Sequence, residues 1–150
     1  LSESLEGGQR VRGVVACVNR AGLWSSAETR LVRIDTVSPR MNWVRDGWGD
    51  EFVDIDLQWS SLNITAYMQV EDEQSPEDTL ICEICISADK VTCMGDWHSA
   101  GNCSLGEIVV DPGDLEKGRR YYVLARAIDA ARRISDNVAV SDGVVVGMHE

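Results

Sequence analysis

The 150-residue chain is poor in several residue types that specific functions demand. It has one Phe, three Pro, two His, and 14 Lys plus Arg against 25 Asp plus Glu. The formal charge of −11 argues against nucleic-acid binding, which needs Lys and Arg gathered along one face. No apolar run approaches the roughly 20 residues of a membrane-spanning helix, so membrane insertion is not expected. An initiator Met and a signal-peptide pattern are both missing, and the chain is expected to be processed or part of something longer. What remains is a 44% hydrophobic share, enough for a core. The length fits one domain, or one domain with a fragment of another.

Charge is unevenly spread. Residues 1–35 carry five Arg and four acids, residues 36–119 five basic and seventeen acidic groups, and residues 120–150 four of each. The flanks therefore resemble each other more than the middle, which is a hint of internal repetition. Setting Arg10 against Arg120 aligns residues 11–21 with residues 121–131. Both segments pass through a polar turn into a second apolar run, Leu31-Val32-Arg33-Ile34 in one and Gly143-Val144-Val145-Val146 in the other. Each reads as a β-hairpin. Alternation puts Tyr121, Val123, Ala125 and Ala127 on one face. The matching inward positions of the first copy are Val11, Gly13, Val15 and Cys17. Ala125 to Arg133 also has helical propensity, but β-branched and turn residues at strand spacing favour the hairpin.

Between the hairpins lie further strands. One opens at Pro39 and ends at the Asp46-Gly47 turn. Leu62 to Val70 alternates, with Leu62, Ile64, Ala66, Met68 and Val70 inward. Leu80–Ile86 and Gly106–Val110 follow, separated by polar loops. Seven short strands with turn signals between them indicate an all-β sandwich of the immunoglobulin or fibronectin type III kind over residues 36–150. Residues 1–35 are then the closing hairpin of a preceding or complemented sandwich. An isolated two-stranded hairpin is marginal in water, so its apolar face needs cover from a neighbouring repeat or molecule.

Tyr121-Tyr122-Val123, Ala21-Gly22-Leu23, Ser141-Asp142-Gly143-Val144-Val145-Val146, Asp35-Thr36-Val37-Ser38-Pro39, Asp46-Gly47 and Asp54-Ile55-Asp56 stand in a familiar order. In these pieces the chain resembles the tandem fibronectin type III/immunoglobulin-like repeats of large secreted algal, protist and bacterial surface proteins. The resemblance implies a fold and an extracellular or cell-surface setting, such as walls, adhesins or flagellar hairs (mastigonemes). It implies no chemistry.

Four of the five cysteines fall between positions 82 and 103, which suggests disulfides in an oxidising compartment. Zinc on Cys82, Cys85, Cys93, His98 and Cys103 competes poorly, because Cys82 and Cys85 in an alternating strand point to opposite faces. Three pairings of Cys82, Cys85, Cys93 and Cys103 remain open. A hairpin turning at residues 88–90 would set Cys85 opposite Cys93 and leave Cys82 for Cys103. Cys17 is left over, and a buried free thiol is preferred to a covalent link between units. Asn63-Ile64-Thr65 and Asn102-Cys103-Ser104 are N-glycosylation sequons, with Asn63 on the outward face of its strand and Asn102 in a polar loop.

Chemistry is thinly represented. Asp96, His98 and Ser99 crowd one loop, but residues that close in sequence rarely converge as a triad, and no nucleophile elbow is present. Calcium is the alternative reading of Asp46, Asp50, Asp54, Asp56 and of Glu71-Asp72-Glu73; the spacing is not that of an EF-hand loop. A solvated acidic surface is preferred, and no cofactor or metal is expected. Trp24, Trp43, Trp48, Trp59 and Trp97 lie near turns or strand ends, with Trp43 and Trp48 flanking the Asp46-Gly47 turn as contact candidates. Together with Val11, Val15, Cys17, Trp24 and Leu31 they form the expected interface set. The resulting expectation is a non-enzymatic, glycosylated extracellular module that assembles head to tail with copies of itself into a filament. An adhesion or receptor ectodomain that binds protein or glycan through its loops is the alternative.

Overall fold

The computed structural model describes residues 4–47, 54–58, 63–103, 105–109 and 115–147. Trp48, Asp50, Trp59, Leu62, Ser104 and Val110, singled out above, lie outside them. The protein is all-β, and the chain divides into two compact units, residues 1–37 and 38–150.

The first unit is a ribbon. β1 (Arg10–Val11) pairs antiparallel with β4 (Val32–Arg33), and β2 (Val14–Val18) with β3 (Trp24–Glu28). Its turn is built locally: Asn19 Oδ1 accepts the amides of Ala21 and Leu23, and Gly22 takes φ +80°, where a side chain would be strained. This tight turn places Trp24 opposite Val18 and draws Ser25 and Ser26 into the ladder. The second strand therefore begins at Trp24, earlier than the apolar run at Leu31 implied. A backbone ladder forms without an apolar pattern where neither face is covered. For the same reason the inward assignments fail. Gly13, Val15 and Cys17 are exposed and Val11 is only half-buried, since a two-stranded ribbon has no inside of its own.

The second unit packs two sheets around one core. The first has the order β10-β7-β5, from β5 (Arg40–Asp46), β7 (Asn63–Glu71) and β10 (Leu105–Val109). The second runs β6-β13-β11-β8-β9, with β6 (Leu57–Gln58), β8 (Ile81–Ser87), β9 (His98–Asn102), β11 (Arg120–Ile128) and β13 (Val144–Val146); β12 (Ala139–Val140) also pairs with β11. Period-two alternation sets the facing residues. Ile64, Ala66, Met68 and Val70 of β7 meet Ile84 and Ile86 of β8 and Tyr121, Val123, Ala125 and Ala127 of β11 in one buried cluster. Burying an Ile such as Ile64 or Ile84 contributes about 2 kcal/mol. Residues 125–128 continue β11 rather than forming a helix, and the chain then turns where Asp129 Oδ1 accepts the Arg133 amide at 2.8 Å.

Two details of this unit bear on function. His98–Asn102, read from sequence as loop, is the edge strand β9, tied to β8 by the Cys82–Cys103 disulfide just beyond its end. Its composition carries no strand propensity; covalent tethering beside an open sheet edge accounts for the pairing. The return strand along β11 is interrupted, with β12 and β13 separated by Ser141-Asp142-Gly143. There the Ser141 hydroxyl replaces a backbone acceptor for the Val123 amide at 2.8 Å. Gly143 takes φ +96°, and a Cβ on it would stand 2.5 Å from the Tyr122 ring and 2.8 Å from the Tyr121 carbonyl.

Candidate functional site

The ribbon presents a run of exposed apolar side chains. Val14, Val15, Val18, Leu23, Trp24, Leu31 and Val32 are each more than half exposed, Trp24 at 72%. Register puts Val18 beside Trp24 on one face, while Val15 and Cys17 share the other with Ala27 and Ser25. Cys17, Val18, Leu23 and Trp24 line an open groove at the turn end. Cys17 is therefore an exposed free thiol, not the buried one expected, because both faces of the ribbon meet solvent. Of the interface candidates, Val15, Cys17, Trp24 and Leu31 are exposed and Val11 is half-buried. Trp43 is not an open platform. It is half-buried on β5, its indole N–H donates to Gln69 at 2.6 Å, and the Arg45 guanidinium stacks 5.0 Å from its ring centroid.

The cysteine-rich segment is a braced edge. Cys82 bonds Cys103 and Cys85 bonds Cys93, so none of the four is a thiolate free for zinc. The second bridge is set up by Asp89, whose carboxylate accepts the amides of Val91 and Thr92 and the Ser87 hydroxyl. Those bonds, the Thr92 amide first, hold its pKa well below the usual carboxylate range. Arg126 crosses this sheet, paired with Glu83 at 2.6 Å and stacked 4.3 Å from the Trp97 ring. His98 and Ser99 are successive residues of β9 and point to opposite faces, which takes apart the triad spacing noted above. Asn63 is exposed at the start of β7, its amide donating to Glu107 at 2.7 Å, and Asn102 is exposed at the end of β9 rather than in a loop. Two disulfides fit an oxidising compartment. Among the described residues no helix is long and apolar enough to cross a membrane.

Acids converge at one end of the sandwich. Asp46 closes β5, Asp54 sits beside it through the Gly47–Asp54 bridge, and Asp142 occupies the break between β12 and β13. One carboxylate oxygen from each lies within 4.8 Å of the others. Asp46 is 1% exposed; its Oδ2 accepts the Gly143 amide at 2.9 Å, while its Oδ1 is buried without a hydrogen-bond partner. Burial pushes its pKa up from 3.8 to about 6, helped by the charges of Asp142 and Asp54 and opposed by the Ser141 hydroxyl and the Gly143 amide. Asp54 is also raised, by desolvation and by Asp142, with Arg45 opposing. Asp56, grouped with Asp46 and Asp54 in sequence, instead pairs with Arg120 at 3.6 Å. Asp72 and Asp129 each keep one buried oxygen without a partner while the other closes a local turn.

No family model and no curated protein matches the chain. Among solved structures it is similar to the β-1,2-glucanase from Parabacteroides distasonis, at a TM-score of 0.38 and 14% identity, over 88% of this chain and 17% of that one. The chain thus spans about a sixth of the length of that enzyme.

Proposed function

We propose that this chain is an extracellular structural module, an immunoglobulin- or fibronectin type III-like sandwich with an added hairpin. It joins copies of the same protein head to tail into a glycosylated filament or cell-surface fibre. The observation that carries this reading is the ribbon of residues 10–33, a β-hairpin with Val15, Val18, Leu23 and Trp24 exposed. Such a ribbon gains most of its stability from being covered. Charge favours another copy as the cover: residues 1–35 carry an excess of Arg over acids, whereas residues 36–119 carry seventeen acids against five basic groups. A contact between unlike surfaces repeats without closing and builds a fibre. The two disulfides and the exposed Asn63 sequon suit a secreted setting. The reading assigns no catalytic activity. Electron microscopy of purified protein is the test: regular fibres support assembly, whereas monodisperse particles that bind glycans on an array contradict it and favour an adhesion ectodomain.

A further inference from the structure

We infer that Asp46, Asp54 and Asp142 form a calcium site at the end of the sandwich, where β5 stops and the β12–β13 strand is broken. This inference is independent of the assembly reading. Asp46 and Asp54 are close in sequence, but Asp142 joins them from the strand whose Gly143 bonds Asp46 across 97 positions, so the meeting of all three is a product of the fold. The backbone that holds Asp142 is specialised for this place. Gly143 takes a conformation and a proximity to Tyr122 that no side chain tolerates, and its amide anchors Asp46 Oδ2.

Size fits the ion. Calcium binds oxygen at about 2.4 Å, so two oxygens on opposite sides of one ion stand about 4.8 Å apart. All three carboxylate oxygens lie within that span. The second, independent observation is Asp46 Oδ1, an oxygen of a 1% exposed side chain with no partner. A buried anionic oxygen left this way is costly and needs a cation or donor facing it. The nearby Arg45 acts on Asp54 through its charge, opposing the rise in its pKa. Among the described residues none of the ion pairs includes Asp46, Asp54 or Asp142; Arg120 pairs with Asp56 and donates to the Gly143 carbonyl, and Arg45 stacks on Trp43. An all-carboxylate set without His or Cys selects a hard cation. Asp54 and Asp142 are exposed, so water can complete the six to eight oxygens that calcium takes. The bound ion would fasten the end of β5 to the interrupted strand.

The test uses the whole chain, stripped with chelator and titrated with calcium by calorimetry and by amide NMR. The expected result is saturable binding at roughly 10⁻⁴–10⁻³ M, in the range of extracellular modules, with the Gly143 amide shifting and the thermal transition rising. Asp54→Asn and Asp142→Asn alter exposed side chains and leave the core intact; each is expected to weaken this binding about tenfold or more and to remove the Gly143 response. Absence of any Gly143 shift at saturating calcium, or binding unchanged in both variants, overturns the site. Magnesium binding as tightly as calcium overturns the assignment of the ion.

Discussion

Removing the Cys82–Cys103 disulfide tests how the sandwich is held at its open edge. The bridge closes a loop of sequence separation 21, and Cys85–Cys93 closes one of 8. Loop-closure entropy in the unfolded chain then contributes about 3.3 kcal/mol for the first and about 2.5 kcal/mol for the second at 25 °C. Cys82 also fills a fully buried core position, so Cys82→Ala adds a small cavity cost on top of the entropy. The double variant Cys82→Ala/Cys103→Ala is expected to lose about 3–4 kcal/mol, a large share of the stability of an ordinary domain. Cys85→Ala/Cys93→Ala should lose about 2.5 kcal/mol. Urea unfolding followed by far-ultraviolet circular dichroism reads both. With a slope of about 2 kcal/mol/M, the first variant's midpoint should fall by about 1.5–2 M. A loss below about 1 kcal/mol, or a larger loss from the shorter bridge, would refute the account of this edge.

Gly143→Ala forces a Cβ to 2.5 Å from the Tyr122 ring at φ +96°, so it is expected to destabilise by about 3 kcal/mol or more, read in the same urea assay; near-neutrality would show that the strand break is not fixed by glycine. With chelator present, the folded state binds the Asp46 proton more tightly than the unfolded chain does. Its contribution is therefore fully present below about pH 3.8 and is lost as pH rises through about 6, by up to about 3 kcal/mol. The groups facing it are Asp54 and Asp142, with Arg45 acting on Asp54. The difference in stability between wild type and Asp46→Asn should follow this curve, and a pH-independent difference would contradict the burial of that carboxyl.

Legibility in the sequence followed burial. Tyr121, Val123, Ala125 and Ala127, and Ile64 to Val70, alternate because a one-residue slip would turn the core face to water. Trp24–Glu28 and His98–Asn102 escaped because their strands carry no such pattern; a turn and a disulfide tether respectively set their pairing. Cys17 was misplaced inward by the same logic applied to a ribbon with no inner side. The acidic cluster was half legible. Asp46 and Asp54 are close in sequence, but Asp142 reaches them only through a strand whose Gly143 bonds Asp46 across 97 positions, and no local signal marks that meeting. Asp56, two residues from Asp54, lies at the bend just before β6 and pairs with Arg120 instead.

The most direct test of the assembly reading is sedimentation velocity over a wide concentration range, comparing the wild-type chain with Val18→Ser/Trp24→Ser. The substituted residues are exposed and cross-strand neighbours, so the fold should survive. Removing a central Trp anchor typically costs about 2 kcal/mol or more at an interface, about thirtyfold in affinity. The account predicts wild-type species that grow with concentration and a variant that stays monomeric at the same concentrations. A wild-type chain that sediments as a monomer throughout, or a variant that associates equally well, would contradict it.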